Sequence, residues 1–128
     1  MNRNLISLII LLTILASSCS GSSSEAAAQA TEEYLQALAA KDKTALINLS
    51  CKESEAKASL EVDALLSVEP ELNNLNCEVQ GVEGDDTLVK CSGSLDLTYD
   101  TEIRSIDLSE RTYNLRQEDR RWRVCSYR

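Results

Sequence analysis

The spacing of hydrophobic positions changes character along this chain. Leu5 to Leu15 is apolar on every face, interrupted only by Ser7 and Thr13. Over residues 25 to 40 the apolar positions Ala27, Ala30, Tyr34 and Leu38 recur at three- and four-residue intervals, which predicts an amphipathic helix. Ser22 and Glu25 form a capping-box pattern at its start. Asp42 is placed to cap a short second helix carrying Ala45, Leu46 and Leu49. Ser50-Cys51-Lys52-Glu53 repeats the capping-box pattern and predicts a third helix with Ala56, Leu60 and Ala64 on its face, ending near Val68 before Pro70.

Beyond Pro70 the period falls to two. Cys77, Val79 and Gly81 share one predicted strand face, and Glu83-Gly84-Asp85-Asp86 reads as a turn. Val89, Cys91, Gly93, Leu95, Leu97 and Tyr99 alternate through a long strand that Gly93 could bend. Asp100 opens the next turn. Ile106 with Leu108, and Tyr113 with Leu115, mark two further strands. Glu118-Asp119-Arg120 turns the chain into a last strand bearing Trp122 and Val124. Helices first and antiparallel strands afterwards predict an α+β domain over residues 25–128, its N-terminal helices packed against a curved antiparallel sheet.

The opening apolar run follows Arg3 and is too short for a bilayer, which needs roughly 20 residues. It fits a secretory signal peptide over residues 1–18. Ala16-Ser17-Ser18-Cys19 resembles a bacterial lipobox, in which the cysteine receives a lipid and becomes the new N-terminus. Leu15 stands one place early for that pattern, and ordinary signal peptidase could also cut here. Ser20-Gly21-Ser22-Ser23-Ser24 favours the lipid reading, because residues 19–24 would then be a lipidated Cys19 and a Ser-rich tether holding the domain off a membrane. The expected location is the bacterial cell envelope, outside the cytoplasm, with plain secretion as the alternative.

Of five cysteines, setting aside Cys19 leaves Cys51, Cys77, Cys91 and Cys125. An even number in an exported domain implies two disulfides. Four cysteines allow three pairings. Cys77 and Cys91 flank Gly84 symmetrically, which favours Cys77–Cys91 across a hairpin and Cys51–Cys125 as the remainder. There is no histidine and no C-x-x-C pair, so neither a zinc site nor a histidine-activated thiol is indicated. No metal or cofactor is expected.

A formal net charge of −8 argues against nucleic acid and against electrostatic adhesion to anionic lipid. Arg111, Arg116, Arg120, Arg121, Arg123 and Arg128 nevertheless crowd the C-terminal strands. They read either as an anion-binding face or, preferably, as partners for acids on neighbouring strands.

Tyr34-Leu35-Gln36-Ala37-Leu38, followed by Lys41-Asp42 and Leu46, resembles the opening of nuclear transport factor 2-like domains, and Trp122-Arg123-Val124 resembles their last strand. The chain is similar over residues 25 to 127 to small bacterial lipoproteins of that fold with four cysteines and no assigned activity. The resemblance implies a cone of curved sheet around helices. Such a cone would present a pocket lined by Tyr34, Leu95, Leu97, Tyr99, Tyr113 and Trp122 if these residues do not simply fill the core.

Two functional classes remain. The preferred one is a non-enzymatic, lipid-anchored envelope domain that binds a protein partner or a small ligand, or pairs with a second copy of itself. A ligand of ordinary size requires a pocket of roughly 300 Å³ or more. The polar strand positions Glu78, Gln80, Lys90, Ser92, Ser94 and Asp96 offer an alternative interaction face. The second class is an isomerase- or cyclase-type enzyme, with Asp96 or Asp100 as base and Tyr99 or Tyr113 as donor. Asp96 alternates with inward residues and Asp100 lies at a turn, so both are expected at the surface, and no catalytic constellation is assigned.

Overall fold

The computed structural model describes residues 23–128, so the signal run, Cys19 and the expected capping residue Ser22 lie outside the described residues. Helix α1 (Ser23–Ala39) buries Ala27, Ala28, Ala30, Thr31, Tyr34, Leu35, Ala37 and Leu38. That is a broader face than a surface helix needs, because α1 lies against β1, β2, β5 and α2. The one polar member, Thr31, donates to the Ala27 carbonyl at 3.0 Å and so enters the core without an unmade hydrogen bond. Helix α2 (Lys43–Asn48) is capped by Asp42, whose carboxylate accepts from the Ala45 N–H at 3.0 Å.

The third helix differs from its predicted form. A 3-10 turn at Lys52–Ser54 leads into α3 (Glu55–Ala64), which buries Ala58 and Val62, while Leu60 is 68% exposed. The residues expected to cap it are used elsewhere. Ser50 Oγ donates to the Leu46 carbonyl at 2.7 Å, the Cys51 N–H donates to the Val124 carbonyl at 2.9 Å, and Cys51 is bonded to Cys125. With the cap residues tied to the last strand, the helix begins later and a different stripe faces inward.

Five strands form one open antiparallel sheet: β1 (Glu69–Glu83), β2 (Asp86–Tyr99), β3 (Glu102–Asp107), β4 (Thr112–Glu118) and β5 (Arg121–Tyr127). The order is β1-β2-β4-β5, with β3 also on β2. The long β2 makes this arrangement workable. Its residues Ser94–Tyr99 pair with β3 and Thr87–Lys90 pair with β4, and a 3-10 turn at Leu108–Glu110 carries the chain between the two. Leu108, expected on a strand, sits in that turn and is fully buried. Pro70 falls at the second residue of the edge strand β1, where its missing N–H disrupts little.

Bulges interrupt the regular alternation. Asn73 pairs with Ser94 and Asn76 with Ser92, so two residues of β1 oppose Gly93 alone. Gly93 has φ +100°, and a Cβ there would lie 2.3 Å from the Asn73 carbonyl oxygen. Only glycine fits this close crossing. A second shift sets Val79 opposite Val89 but Gly81 opposite Leu88, and this takes Gly81 off the face it was expected to share with Cys77 and Val79. A third, between Asn114 and Leu115, lets β5 bury both Val124 and Cys125. The core lies between the helices and one face of the sheet, centred on Leu35, Leu46, Val62, Val89, Leu108, Tyr113 and Leu115.

The two disulfides are Cys77–Cys91, between directly paired residues of β1 and β2, and Cys51–Cys125, joining the segment before α3 to β5. They point to an extracytoplasmic location. Among the described residues no helix is long and apolar enough to cross a membrane.

Candidate functional site

Where the C-terminal end of α3 approaches the middle of the sheet, a cleft of about 140 Å³ opens between Leu38, Glu61, Ala64, Leu65, Leu95, Leu97, Ile106, Arg111 and Tyr127. Its walls are aliphatic. Its polar groups are few and come from three places: Glu61 on α3, Arg111 at the start of β4, and Tyr127 at the end of β5.

Glu61 is the hub of the polar end. The Tyr34 hydroxyl donates to one of its carboxylate oxygens and the Tyr127 hydroxyl to the other, each at 2.9 Å. The Lys57 ammonium is 4.0 Å from the same carboxylate and 4.4 Å from the centre of the Tyr127 ring. Arg111 stacks on that ring as well, at 4.7 Å. Burial, then the Glu61 carboxylate and its hydrogen bond, push the Tyr34 hydroxyl far above its ordinary value. The same influences push Tyr127 up to about 12.

Tyr113 completes the aromatic cluster, its ring 6.5 Å from Tyr34 and 5.6 Å from Tyr127. It is fully buried, and its hydroxyl makes no hydrogen bond. Burial raises its pKa, and the neighbouring Arg111 guanidinium opposes that rise. Arg111 forms no ion pair among the described residues.

Of the residues expected to line a pocket, Leu95 and Leu97 line this cleft, and Tyr34 and Tyr113 are buried beside it. Tyr99 and Trp122 do not join them. Tyr99 lies at the tip of the β2–β3 hairpin, 42% exposed, beside Arg104. It belongs to the inward set by alternation, but the strand has there run past the helices that would cover it. Trp122 lines a separate shallow hollow with Ala26, Ala30 and Leu49, against α1 and α2. The β5 bulge leaves Trp122 on the same face as Val124 and Tyr127, opposite Gln117, Leu115 and Tyr113 of β4, but at the far end of the strand from Tyr127.

The carboxylates considered as bases are away from the cleft. Asp96 accepts from Asn73 Nδ2 at 2.9 Å and from the Ser105 hydroxyl, and Asp100 is an exposed turn residue with φ +52°. Of the C-terminal arginines, Arg116 is held between Asp86 and Glu53, Arg128 reaches Glu83 at 3.0 Å, and Arg123 bonds the Asn48 carbonyl at 3.1 Å and lies 4.0 Å from Asp119. Three of the six arginines are thus paired within the chain. Glu78, Gln80, Lys90 and Ser92 do gather around a shallow polar hollow with Asn76 and Ser109. Among the described residues no group of acids and cysteines could hold a metal ion.

Glu61 and Tyr127 are not singled out by the sequence, while Arg111 stands there only as one of the C-terminal arginines and Ile106 only as a strand position. Lys57 and Glu61 stand four apart on a helix, a spacing that signals an ion pair. Nothing local marks the aromatic pair that converges on Glu61, because 27 and 66 residues separate Tyr34 and Tyr127 from it.

No family model matches the chain, and no curated protein does. Solved structures that share its fold include the following two. A SEC-C motif-containing protein from Rhodopseudomonas palustris matches with TM-score 0.53 and 13% identity, over 80% of this chain and 79% of that one. The helical cell shape determining protein from Campylobacter jejuni matches with TM-score 0.52 and 7% identity, over 77% of this chain and 38% of that one. At these identities the likeness concerns the fold alone. It also corrects the family reading: the structures found are a SEC-C motif-containing protein and a cell shape protein, and the assignment to nuclear transport factor 2-like lipoproteins is withdrawn. The motifs behind it, an amphipathic helix and a Trp-x-Val strand, suit any helix-on-sheet domain with this order of elements.

Proposed function

We propose that the protein is an exported, lipid-anchored, non-enzymatic domain of the bacterial cell envelope whose task is to bind a protein partner. The observation that carries this reading is the pair of disulfides in a small α+β domain, joined in sequence to a signal-like run ending at Cys19. Disulfides of this kind belong to oxidising compartments. The lipid on Cys19 would supply the membrane attachment that the acidic net charge of −8 does not.

The cleft itself is small for a ligand of ordinary size, since about 140 Å³ is well under the roughly 300 Å³ such ligands occupy, and the larger hollow at Trp122, about 370 Å³, is a shallow surface depression. Glu61 weighs against acid–base chemistry, because both its oxygens already accept a tyrosine hydroxyl. Beyond the cleft, the polar face around Glu78, Gln80, Lys90 and Ser92 suits a wet protein contact.

Intact mass of the protein from a bacterial membrane fraction, taken without reductant after thiol alkylation, tests the reading. A lipid adduct on Cys19 with no alkylated thiol supports it. A soluble, unlipidated species removes the anchor, and alkylation of Cys51 or Cys125 removes the disulfide framework.

A further inference from the structure

The cleft has a cationic group at one side and aliphatic walls on the others. Arg111 offers a planar array of N–H groups and has no acidic partner among the described residues. Behind it, outside the lining of the cleft, the Tyr113 hydroxyl is buried against the Arg111 guanidinium. Glu61, the anion that also lines the cleft, accepts from Tyr34 and Tyr127. Leu38, Leu65, Leu95, Leu97 and Ile106 provide apolar contact but nothing polar.

We propose that this cleft binds a small aliphatic carboxylate, with the carboxylate at Arg111 and the hydrocarbon tail against Leu65, Leu97 and Ile106. The volume sets the size of the tail. A cavity of about 150 Å³ admits a molecule as large as benzene, and a cleft of about 140 Å³ therefore takes a tail of roughly four to six carbons. Glu61 orients the ligand by repelling the acid group toward Arg111. The same chemistry could come from a free short-chain acid or from the C-terminus of a chain ending in an aliphatic residue. The site stands apart from the anchoring proposal, and either can fail without the other.

The test is an amide chemical-shift titration of the purified, disulfide-bonded protein with hexanoate. Hexanoate is expected to shift the resonances around Leu97, Ile106 and Arg111 saturably, while hexanol and hexylammonium do not. Arg111→Gln should weaken hexanoate roughly tenfold or more, as loss of a charged hydrogen-bonding partner predicts. Ile106→Phe should fill the cleft and block it. Peak dispersion in each spectrum reports whether the variant is folded, and Arg111→Lys substitutes for Arg111→Gln should the latter unfold, with the same direction expected. A short peptide ending in leucine, compared with its C-terminal amide, separates the sources. Tighter binding of the free-acid peptide than of hexanoate assigns a protein C-terminus, and the reverse assigns a free acid. Absence of saturable shifts with both carboxylates, stronger binding of hexylammonium, or an unchanged affinity in folded Arg111→Gln overturns the proposal.

Discussion

The two disulfides close loops of very different length, and this sets their contributions to stability apart. Cys51 and Cys125 are separated by 74 positions, Cys77 and Cys91 by 14. If each bond acts by restricting the unfolded chain, loop-closure entropy assigns about 4.5 kcal/mol to the first and about 3 kcal/mol to the second. The difference is about 1.5 kcal/mol. Replacing each pair with alanine compares them fairly, because all four cysteines are buried, at 0, 7, 6 and 3% exposure for Cys51, Cys125, Cys77 and Cys91, and the packing lost is similar. Urea unfolding followed by far-UV circular dichroism supplies the free energies. With a slope of roughly 1–3 kcal/mol/M, the Cys51/Cys125 variant should unfold about 0.5–1.5 M earlier than the Cys77/Cys91 variant. A domain of this size has only about 5–15 kcal/mol in total, so the first variant should be marginal. Equal losses, or a larger loss for Cys77/Cys91, would refute the entropic account and locate the stabilisation in native contacts.

Two further outcomes follow from the backbone and the tyrosine cluster. Gly93→Ala places a Cβ 2.3 and 2.6 Å from two backbone oxygens at φ +100°, whereas Gly84→Ala, at φ +61°, meets nothing within 4 Å. The first should cost about 3 kcal/mol or more and the second about 1–2, measured by the same urea titration. Tyr127 titrates near 10.0 when unfolded and at about 12 when folded, so the folded state keeps a proton that the unfolded state releases. Its contribution is therefore complete below pH 10 and is lost as the pH rises from there through about 12. The unfolding midpoint should fall across that window in the native protein, and less steeply in Tyr127→Phe.

The α+β division was legible because the hydrophobic period itself changes near Pro70, and the strand order of a hairpin follows from turns such as Glu83-Gly84-Asp85-Asp86. The face of α3 was not. Its assignment depended on Ser50 acting as a cap, and a contact 74 residues away, with Val124, had already taken that segment. Tyr99 and Trp122 lie away from the cleft for a related reason. Alternation fixes which side a residue points to, but not which stretch of a strand the helices cover: β2 outruns them at Tyr99, and Trp122 sits at the opposite end of β5 from Tyr127, against α1 and α2. The polar hub at Glu61 joins α1, α3 and β5, so it exists only once all three have packed.

The connectivity of the cysteines has a consequence for how the domain is made. Emerging from N- to C-terminus, the chain presents Cys51, Cys77, Cys91 and Cys125 in that order. An oxidant that paired thiols as they appeared would join Cys51 to Cys77 and Cys91 to Cys125, and both bonds would be wrong. The native bonds are nested, with Cys77–Cys91 inside Cys51–Cys125. The inner one needs only the β1–β2 hairpin, whereas the outer one must wait for β5, the last strand of the sheet. Cys51 must stay unpaired through the passage of two other cysteines, or be released from a mistaken partner by thiol–disulfide exchange. Production of this protein is thus a problem of timing, and its yield should depend on disulfide isomerase capacity more than on oxidising power.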